Sequence, residues 1–575
     1  MSAAEAIDRQ CGVCSGRLLL AYPGAVEGPD MQAFAPSCHR PGHHGDLMRC
    51  RECGTVQQPS LPPEEELLEA YRRTSDDRYL TEERGRRRTA RWLLDLLAFH
   101  SPGGRLLDVG CGHGLLLDEA RSRGYEVDGI EPSRDAADYA RGELGLEVVE
   151  SGLAGAGARQ TNYDAVVLAD VLEHLDDPVA ALDTVVELLA GDGTLLIATP
   201  DPSSAIARLA GSRWWAYLPA HTYLIPRLTL RELVAERGLV IAEDVPLRRS
   251  FSAGYWAQGL AERGGMPGAL AARLVEGLPG DPLLTATLRD ERVLLARKLE
   301  VRRPPALRVN DRGGDTKVHA VLPAYNAERT VTDVAHGLPV DALDRTLLVD
   351  DASSDQTADT ALGAGLEVVS HPINRGYGAN QKTCYARSIL DGADVVVMIH
   401  ADNQYDPSLV AEMVRPILAG KADVVIGSRL LEDEAVSGGM PRWKWIGNRA
   451  LTWVENRAFR RRFSEYHTGY RAFSVPFLRS IPFLRNSDGF VFDQEVFAQI
   501  VASGARVVEL AIPTRYFLEA STVSFWQSVD YGLRTLGVLA RLRLDERRGR
   551  WLLLRRPAAT LRRGREFPAA QLPAP

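Results

Sequence analysis

This sequence has little that could staple it covalently or anchor it in a bilayer. Seven cysteines in 575 residues are few and odd in number, and four of them fall into two CxxC pairs, so they suit a metal better than a disulfide framework. No stretch approaches the roughly 18 to 20 apolar residues that span a bilayer, and MSAAEAIDRQ is not a basic segment leading into an apolar one. A cytoplasmic protein is expected. An excess of positive charge is also missing: 68 Lys+Arg against 76 Asp+Glu leave a net charge of -8, which gives no global reason to bind nucleic acid. With 45% hydrophobic and 25% charged residues the chain is not of disordered composition. At about 150 residues per domain, its length calls for roughly two to four domains.

Five stretches can be told apart. Residues 1–60 hold most of the cysteines and end in the proline-bearing QQPSLPPEEE. Over residues 61–300, apolar runs such as GRLLDVG, DAVVLAD and GTLLIATP alternate with helical patterns such as DPVAALDTVVELLA, which predicts βαβ units on a parallel sheet. Residues 301–316 are rich in Arg, Pro, Gly and Asp without apolar periodicity and read as a linker. A second α/β series follows over 317–533, with VHAVLPAY, RTLLVDD, LEVVSH, DVVVMIH and ADVVIGS as buried strands. The expected fold class is therefore α/β, with two Rossmann-like parallel-sheet domains behind a small zinc-ribbon module. The last stretch, 534–575, carries eleven arginines against three acids, a basic tail on an acidic chain.

Cys11-Gly-Val-Cys14 and Cys50-Arg-Glu-Cys53 have the spacing by which two tight turns present four thiolates to one tetrahedral zinc. Four protein ligands leave no open position, so such a zinc is structural. Cys38, His39, His43 and His44 could replace a ligand, although the simpler reading leaves them in loops.

The run Arg105-Leu-Leu-Asp-Val-Gly-Cys-Gly-His-Gly114 sets a strand, an acid and a glycine-rich turn ahead of a helix. Gly110, Gly112 and Gly114 would let the backbone approach a ligand closely. In a dinucleotide fingerprint the last glycine would fall at Leu115; instead Asp108 precedes the turn, and Glu131 ends the next strand 21 residues after Gly110, where a carboxylate can accept both ribose hydroxyl protons. Adenosine without a pyrophosphate fits better. DVGCGHG, DGIEPS, YDAVVLADVLEHLDDP, which contains Asp170, and GTLLIATP occur in an order that resembles the class I S-adenosylmethionine-dependent methyltransferases. That resemblance implies S-adenosylmethionine held by Asp108, the three glycines, Glu131 and Asp170. Candidate bases for a hydroxyl acceptor are His174, in VLEHLDDP, and His221, in WWAYLPAHTYL.

In the second series Val321-Leu-Pro-Ala-Tyr-Asn-Ala-Glu328 closes one strand, and the next ends in the acidic pair Asp350 and Asp351. With HADNQ and the downstream HTGYRAFS, these pieces resemble family 2 glycosyltransferases of the GT-A fold, among them dolichol-phosphate mannose synthases. The resemblance implies a nucleotide sugar bound by Pro323, Tyr325, Asn326, Glu328, Asp350, Asp351, Arg429 and Arg471. It also implies magnesium or manganese at a DxDxQ motif, which here reads His400, Asp402, Gln404, so the first acid is replaced by an imidazole. Asp493 or Glu495 could deprotonate a sugar hydroxyl, whereas an acceptor lipid phosphate needs no base. The expected function is methyl transfer to a sugar or glycan intermediate together with metal-dependent, inverting glycosyl transfer from a nucleotide sugar to a sugar, glycan or polyprenyl-phosphate acceptor, in building a surface glycan or glycolipid. An alternative makes the second half a polyprenyl-phosphate sugar synthase with a separate methylation step. The basic tail offers a peripheral membrane contact. A rival reading joins the zinc ribbon and tail into an RNA-binding apparatus, and the second series argues against it.

Overall fold

The computed structural model describes residues 10–24, 44–59, 64–73, 76, 78–153, 162–263, 273, 280–305, 316–431, 442–513 and 525–548. Two compact units result, the first running to Lys298 and the second starting at Leu299.

The first unit is built on a seven-stranded sheet in the order Leu239–Pro246, Glu291–Lys298, Leu189–Pro200, Tyr163–Ala169, Arg105–Val109, Glu126–Glu131, Val148–Glu150. The last five run parallel, and Glu291–Lys298 is antiparallel to both its neighbours. Strand order reverses at Arg105–Val109, which has Glu126–Glu131 on one side and Tyr163–Ala169 on the other. Such a switch point opens a crevice at the carboxyl ends of the strands, where the glycine turn lies. Short-range chemistry fixes the crossover helices: Pro178 begins one of them, and Asp177 caps it by accepting from the Val179 and Ala180 N–H groups. Helix Glu83–His100 buries Ala90, Leu93, Leu94 and Leu97, a stripe at helical spacing against the sheet.

The cysteine segment forms an antiparallel sheet of Leu18–Tyr22, Leu47–Cys50 and Val56–Gln57 that is completed by Tyr223–Leu224, from far along the chain. Cys11, Cys14, Cys50 and Cys53 share one hydrophobic cluster with Leu107, Val166 and Ile197 of the main sheet. The stretch that looks separate in sequence is thus sewn into the first unit. Cys38, His39 and His43 lie outside the described residues, and His44 is bonded through its ring to the carbonyls of Gly45 and Ser212.

In the second unit the strand order is Glu367–Ser370, Arg345–Asp350, Val318–Ala324, Val395–Met398, Arg471–Ser474, Val424–Ser428, Val507–Ala511. The first four are parallel, and Arg471–Ser474 runs antiparallel to both its neighbours. Val318–Ala324 and Val395–Met398 are buried at every position, as a sheet covered on both faces requires. The reversal at Val318–Ala324 again sets a crevice at the strand ends. Within the expected linker, Arg302 already pairs with Val368 on this sheet's edge, and most of the rest lies outside the described residues. Among the described residues no helix is long and apolar enough to cross a membrane.

Candidate functional sites

The four cysteines are buried and unbridged. Their sulfurs lie within 4.8 Å of one another, with Cys11 3.7 Å from Cys53 and Cys14 3.4 Å from Cys50. A tetrahedron with metal–sulfur bonds of about 2.3 Å has edges of about 3.8 Å, so the set is shaped for a closed tetrahedral ion.

At the switch point of the first unit, Gly110 and Gly112 take positive φ values of 68° and 53°, which glycine adopts without strain. Glu131 folds back over this turn. Its Oε2 accepts from the Gly112 N–H at 2.7 Å and its Oε1 from the Ser133 N–H at 2.7 Å. Burial raises the pKa of this carboxyl and the two N–H groups oppose the shift. Asp108 is buried beneath the turn, and burial together with Glu131 pushes its carboxyl well above the usual range. Gly114 has φ 77° and caps the following helix. The cradle is therefore floored by carboxyl groups and rimmed by the half-buried backbone of Gly110 and Gly112, a fit for an adenosine ribose.

Residues without a recognisable motif close this site. Tyr79 stacks on His113 with ring centroids 4.4 Å apart, and the Arg86 guanidinium lies 3.8 Å over the Tyr79 ring. Asp170, in the left-handed region at φ 58°, pairs with Arg249 at 2.5 Å; burial works against its charge, but the guanidinium holds the carboxyl below its ordinary value. Arg249 also pairs with Glu291 at 2.6 Å.

His174 and His221 come together, with ring centroids 4.7 Å apart. Nδ1 of His221 is 2.7 Å from the Ala216 carbonyl, and Nδ1 of His174 is 2.7 Å from the Tyr71 hydroxyl and 3.2 Å from the Ala220 carbonyl. Burial depresses both, His174 to about 4 and His221 to about 3, so each is a neutral imidazole near pH 7.

In the second unit the loop after Val318–Ala324 is laced to the loop after Arg345–Asp350. The Asn326 N–H donates to Ser353 Oγ at 2.8 Å, Asn326 Oδ1 accepts from the Ser354 N–H at 2.9 Å, and Glu328 Oε2 accepts from the Gln356 N–H at 3.2 Å. Pro323 is the second-last residue of the strand, and Tyr325 stands exposed just beyond its end. Asp350 accepts from Ser353, while Asp351 holds the loop ahead of the next helix through the N–H groups of Arg375 and Gly376 and through His371 Nδ1 at 2.7 Å.

His400, Asp402 and Gln404 follow the strand Val395–Met398. The Gln404 N–H donates to Asp402 Oδ1 at 3.2 Å across Asn403, whose φ is 57°. His400 Nε2 is 2.9 Å from the Tyr377 hydroxyl, which leaves Nδ1 as its open nitrogen. A side chain at Gly469 would collide with the His400 ring. Tyr377 also donates to Asp493 at 3.3 Å, and Asp493 accepts from Gln381 at 2.9 Å and from buried Arg471 at 2.8 Å. Glu495 accepts from the Ser487 N–H at 2.5 Å, and burial raises its pKa. Arg429 is turned inward: its N–H and Nε donate to fully buried Glu465 at 2.9 and 2.8 Å, and Nη2 reaches the His467 carbonyl at 2.8 Å.

Comparison with known proteins follows the same division. A family model described as a methyltransferase domain matches residues 81–244, and one described as glycosyl transferase family 2 matches residues 320–481. The chain joins a methyltransferase domain to a family 2 glycosyltransferase domain. It is 26% identical over 182 residues to a UDP-N-acetylglucosamine–dolichyl-phosphate N-acetylglucosaminyltransferase of Methanococcus voltae, covering 29% of this chain and 72% of that protein. It is 33% identical over 120 residues to a ubiquinone biosynthesis O-methyltransferase of Alkalilimnicola ehrlichii, covering 20% of this chain and 49% of the relative. The chain thus spans about half the length of that methyltransferase. A solved structure of glucosyl-3-phosphoglycerate synthase from Mycobacterium tuberculosis, in complex with uridine diphosphate, matches 40% of this chain and 81% of its own at 19% identity, with a TM-score of 0.34.

Tyr71, Tyr79, Arg86 and Arg249 of the methyltransferase domain, and Tyr377, Gln381 and Glu465 of the glycosyltransferase domain, are missing from the sequence reading. Tyr71, Tyr79 and Arg86 precede the first glycine turn and belong to no spaced pattern. Tyr377 and Gln381 sit one helical turn apart on helix Tyr377–Leu390, which is the only local signal they carry.

Proposed function

We propose that the protein methylates a sugar or glycan intermediate and transfers a sugar, with inversion, from a nucleotide donor to a polyprenyl phosphate at a membrane face. When bound, S-adenosylmethionine supplies an electrophilic methyl group on a sulfonium. Glu131 accepts its ribose hydroxyls, the turn at Gly110, Gly112 and Gly114 admits it closely, and Asp108 and Asp170 complete the cradle. His174 and His221, neutral and side by side, face the acceptor oxygen. One zinc at Cys11, Cys14, Cys50 and Cys53 fastens the N-terminal sheet to this domain.

In the glycosyltransferase domain the loops bearing Pro323, Tyr325, Asn326, Glu328 and Asp350 hold the nucleoside, while Asp351 fixes the loop beside them. His400 Nδ1, Asp402 and Gln404 hold a manganese or magnesium ion, which neutralises the diphosphate leaving group; imidazole favours manganese. Arg471, carried on Asp493, offers its remaining N–H groups to phosphate oxygens. With Asp493 engaged in this way, an acceptor that is already an anion suits the site better than a hydroxyl that needs a base.

One observation carries the lipid acceptor. Helix Arg442–Phe459 buries Thr452, Glu455 and Phe459 and exposes Ile446 and Trp453, the latter 71% exposed, so part of its apolar surface faces outward. Helix Phe525–Arg548 buries Val538, Leu539 and Leu542 and exposes Leu533, Leu536 and Leu544. Arg543 Nη2 donates to the Arg457 carbonyl at 3.0 Å and ties the two helices together. Exposed Arg449, Arg457 and Arg541 accompany the stripes. Apolar stripes set among arginines match an anionic lipid surface. The Methanococcus voltae relative, whose name specifies dolichyl phosphate, agrees with this reading.

The test is sugar transfer from a panel of nucleotide sugars into polyprenyl phosphate carried in anionic vesicles, with manganese present. Label should enter the lipid extract, and Trp453→Asp with Leu536→Asp should lower both transfer and vesicle co-sedimentation. Transfer only to soluble glycans, with no vesicle binding, would overturn the lipid acceptor.

A further inference from the structure

The turn Leu172–His174 and the segment around His221 are bonded to each other, since the Glu173 carbonyl accepts from the Thr222 N–H at 2.7 Å and from Thr222 Oγ1 at 2.9 Å. That junction brings Glu173 beside the two histidines, and one ligand atom from each of Glu173, His174 and His221 lies within 4.8 Å of the others.

Each of the three is steadied from behind. A carbonyl can only accept, so Ala216, at 2.7 Å, puts the proton of His221 on Nδ1 and leaves Nε2 with a bare lone pair. The Ala220 carbonyl acts in the same way on Nδ1 of His174 at 3.2 Å, and the Tyr71 hydroxyl lies 2.7 Å from the same nitrogen. Thr199 Oγ1 donates to Glu173 Oε2 at 3.0 Å and leaves Oε1. Outer partners that fix the tautomer and orientation of inner donors are the usual support of a metal site.

The local charge balance points the same way. The nearby guanidinium of Arg249 is already shared between Asp170 and Glu291. No ion pair reaches Glu173 among the described residues, although it is almost wholly buried. A buried carboxyl with no ion-pair partner, beside two imidazoles anchored through their far nitrogens, is a donor set that a cation would complete.

We infer that Glu173, His174 and His221 bind a divalent cation that chelates neighbouring oxygens of the methyl acceptor. Two nitrogens and one oxygen leave positions open for substrate, as in catalytic rather than structural sites. The cation's use rests on the methyl-transfer reading; its binding does not. A hydroxyl that binds the cation loses its proton to solvent, the oxygen takes the methyl group, and the carbon–sulfur electron pair stays on the sulfur, leaving a thioether. No imidazole then has to accept the proton.

The experiment is Mn2+ titration of the full-length protein followed by electron paramagnetic resonance, after dialysis against citrate. An Asp402→Asn background silences the glycosyltransferase motif. Mn2+ binds thiolate ligands weakly, so the four-cysteine site does not compete. One Mn2+ per chain is expected, with Glu173→Gln and His221→Asn each weakening it at least about 10-fold, the range that loss of support around a metal produces. S-adenosylmethionine affinity, measured by calorimetry, should stay within about threefold in both variants, which certifies their folding. Absence of Mn2+ binding below about 1 mM, or affinity unchanged by both substitutions, overturns the inference. Mn2+ binding without any S-adenosylmethionine binding would sustain the cation site and sink the methyltransferase reading instead.

Discussion

Arg471 and Asp493 form an ion pair of 2.8 Å in which the guanidinium is fully buried and, among the described residues, its Nε and Nη2 find no hydrogen-bond partner. A buried cation with two N–H groups without a described partner is costly unless a ligand takes them up, which favours Arg471 for the proposed phosphate role over Arg429, whose fork is committed to Glu465. Arg471→Met leaves Asp493 buried without its cation. It is expected to destabilise the glycosyltransferase domain by about 3–5 kcal/mol in denaturant unfolding and to weaken nucleoside diphosphate binding.

The pair Arg429 and Glu465 makes a pH prediction. Burial opposes ionisation of Glu465, but the guanidinium and the Arg429 N–H hold its pKa below the ordinary 4.5. A carboxyl whose folded pKa is depressed contributes stability above its unfolded pKa and loses it as pH falls through the folded value. Glu465→Gln should therefore be less stable than the parent at pH 7, and the gap should close at pH values below 4.5. A gap independent of pH would show that shape, not charge, is what matters there.

Cys50→Ser should abolish a bound zinc, one per chain in the parent by elemental analysis. Because the cysteines share a hydrophobic cluster with Leu107 and Val166, loss of the metal should lower the unfolding temperature of the methyltransferase domain as well. A zinc-free parent of equal stability would remove the structural role.

Glu131→Gln exchanges a carboxylate acceptor for an amide at the proposed ribose site. It also weakens the bonds from the Gly112 and Ser133 N–H groups that shape the turn. Charge-assisted hydrogen bonds contribute about 1.5–3 kcal/mol, so S-adenosylmethionine affinity should fall roughly 10- to 100-fold by calorimetry.

Much of this was legible in the sequence because glycine turns and strand-end acids act locally. Gly110, Gly112 and Glu131 meet across one βα unit, and Asn326 meets Ser353 and Ser354 across one more. The CxxC pairs likewise carry their geometry in their spacing. What sequence hides is long-range. The cysteine sheet takes its last strand from Tyr223–Leu224, and Tyr71 reaches His174 across 103 positions of sequence. The outward apolar stripes were also invisible, because the spacing of Ile446 and Trp453 reads as an ordinary core-facing helix until their exposure is known.

The central claim is that both domains act on small or lipid-linked sugar substrates, and mass spectrometry of products tests it most directly. The protein is incubated with S-adenosylmethionine, manganese, a panel of nucleotide sugars, candidate sugar acceptors and polyprenyl phosphate in anionic vesicles. The account predicts two products, one heavier by a methyl group and one lipid heavier by a hexose-type residue, each lost in turn with Glu131→Gln and Asp402→Asn. Absence of both mass increments, with S-adenosylmethionine and nucleotide returned intact, would contradict it.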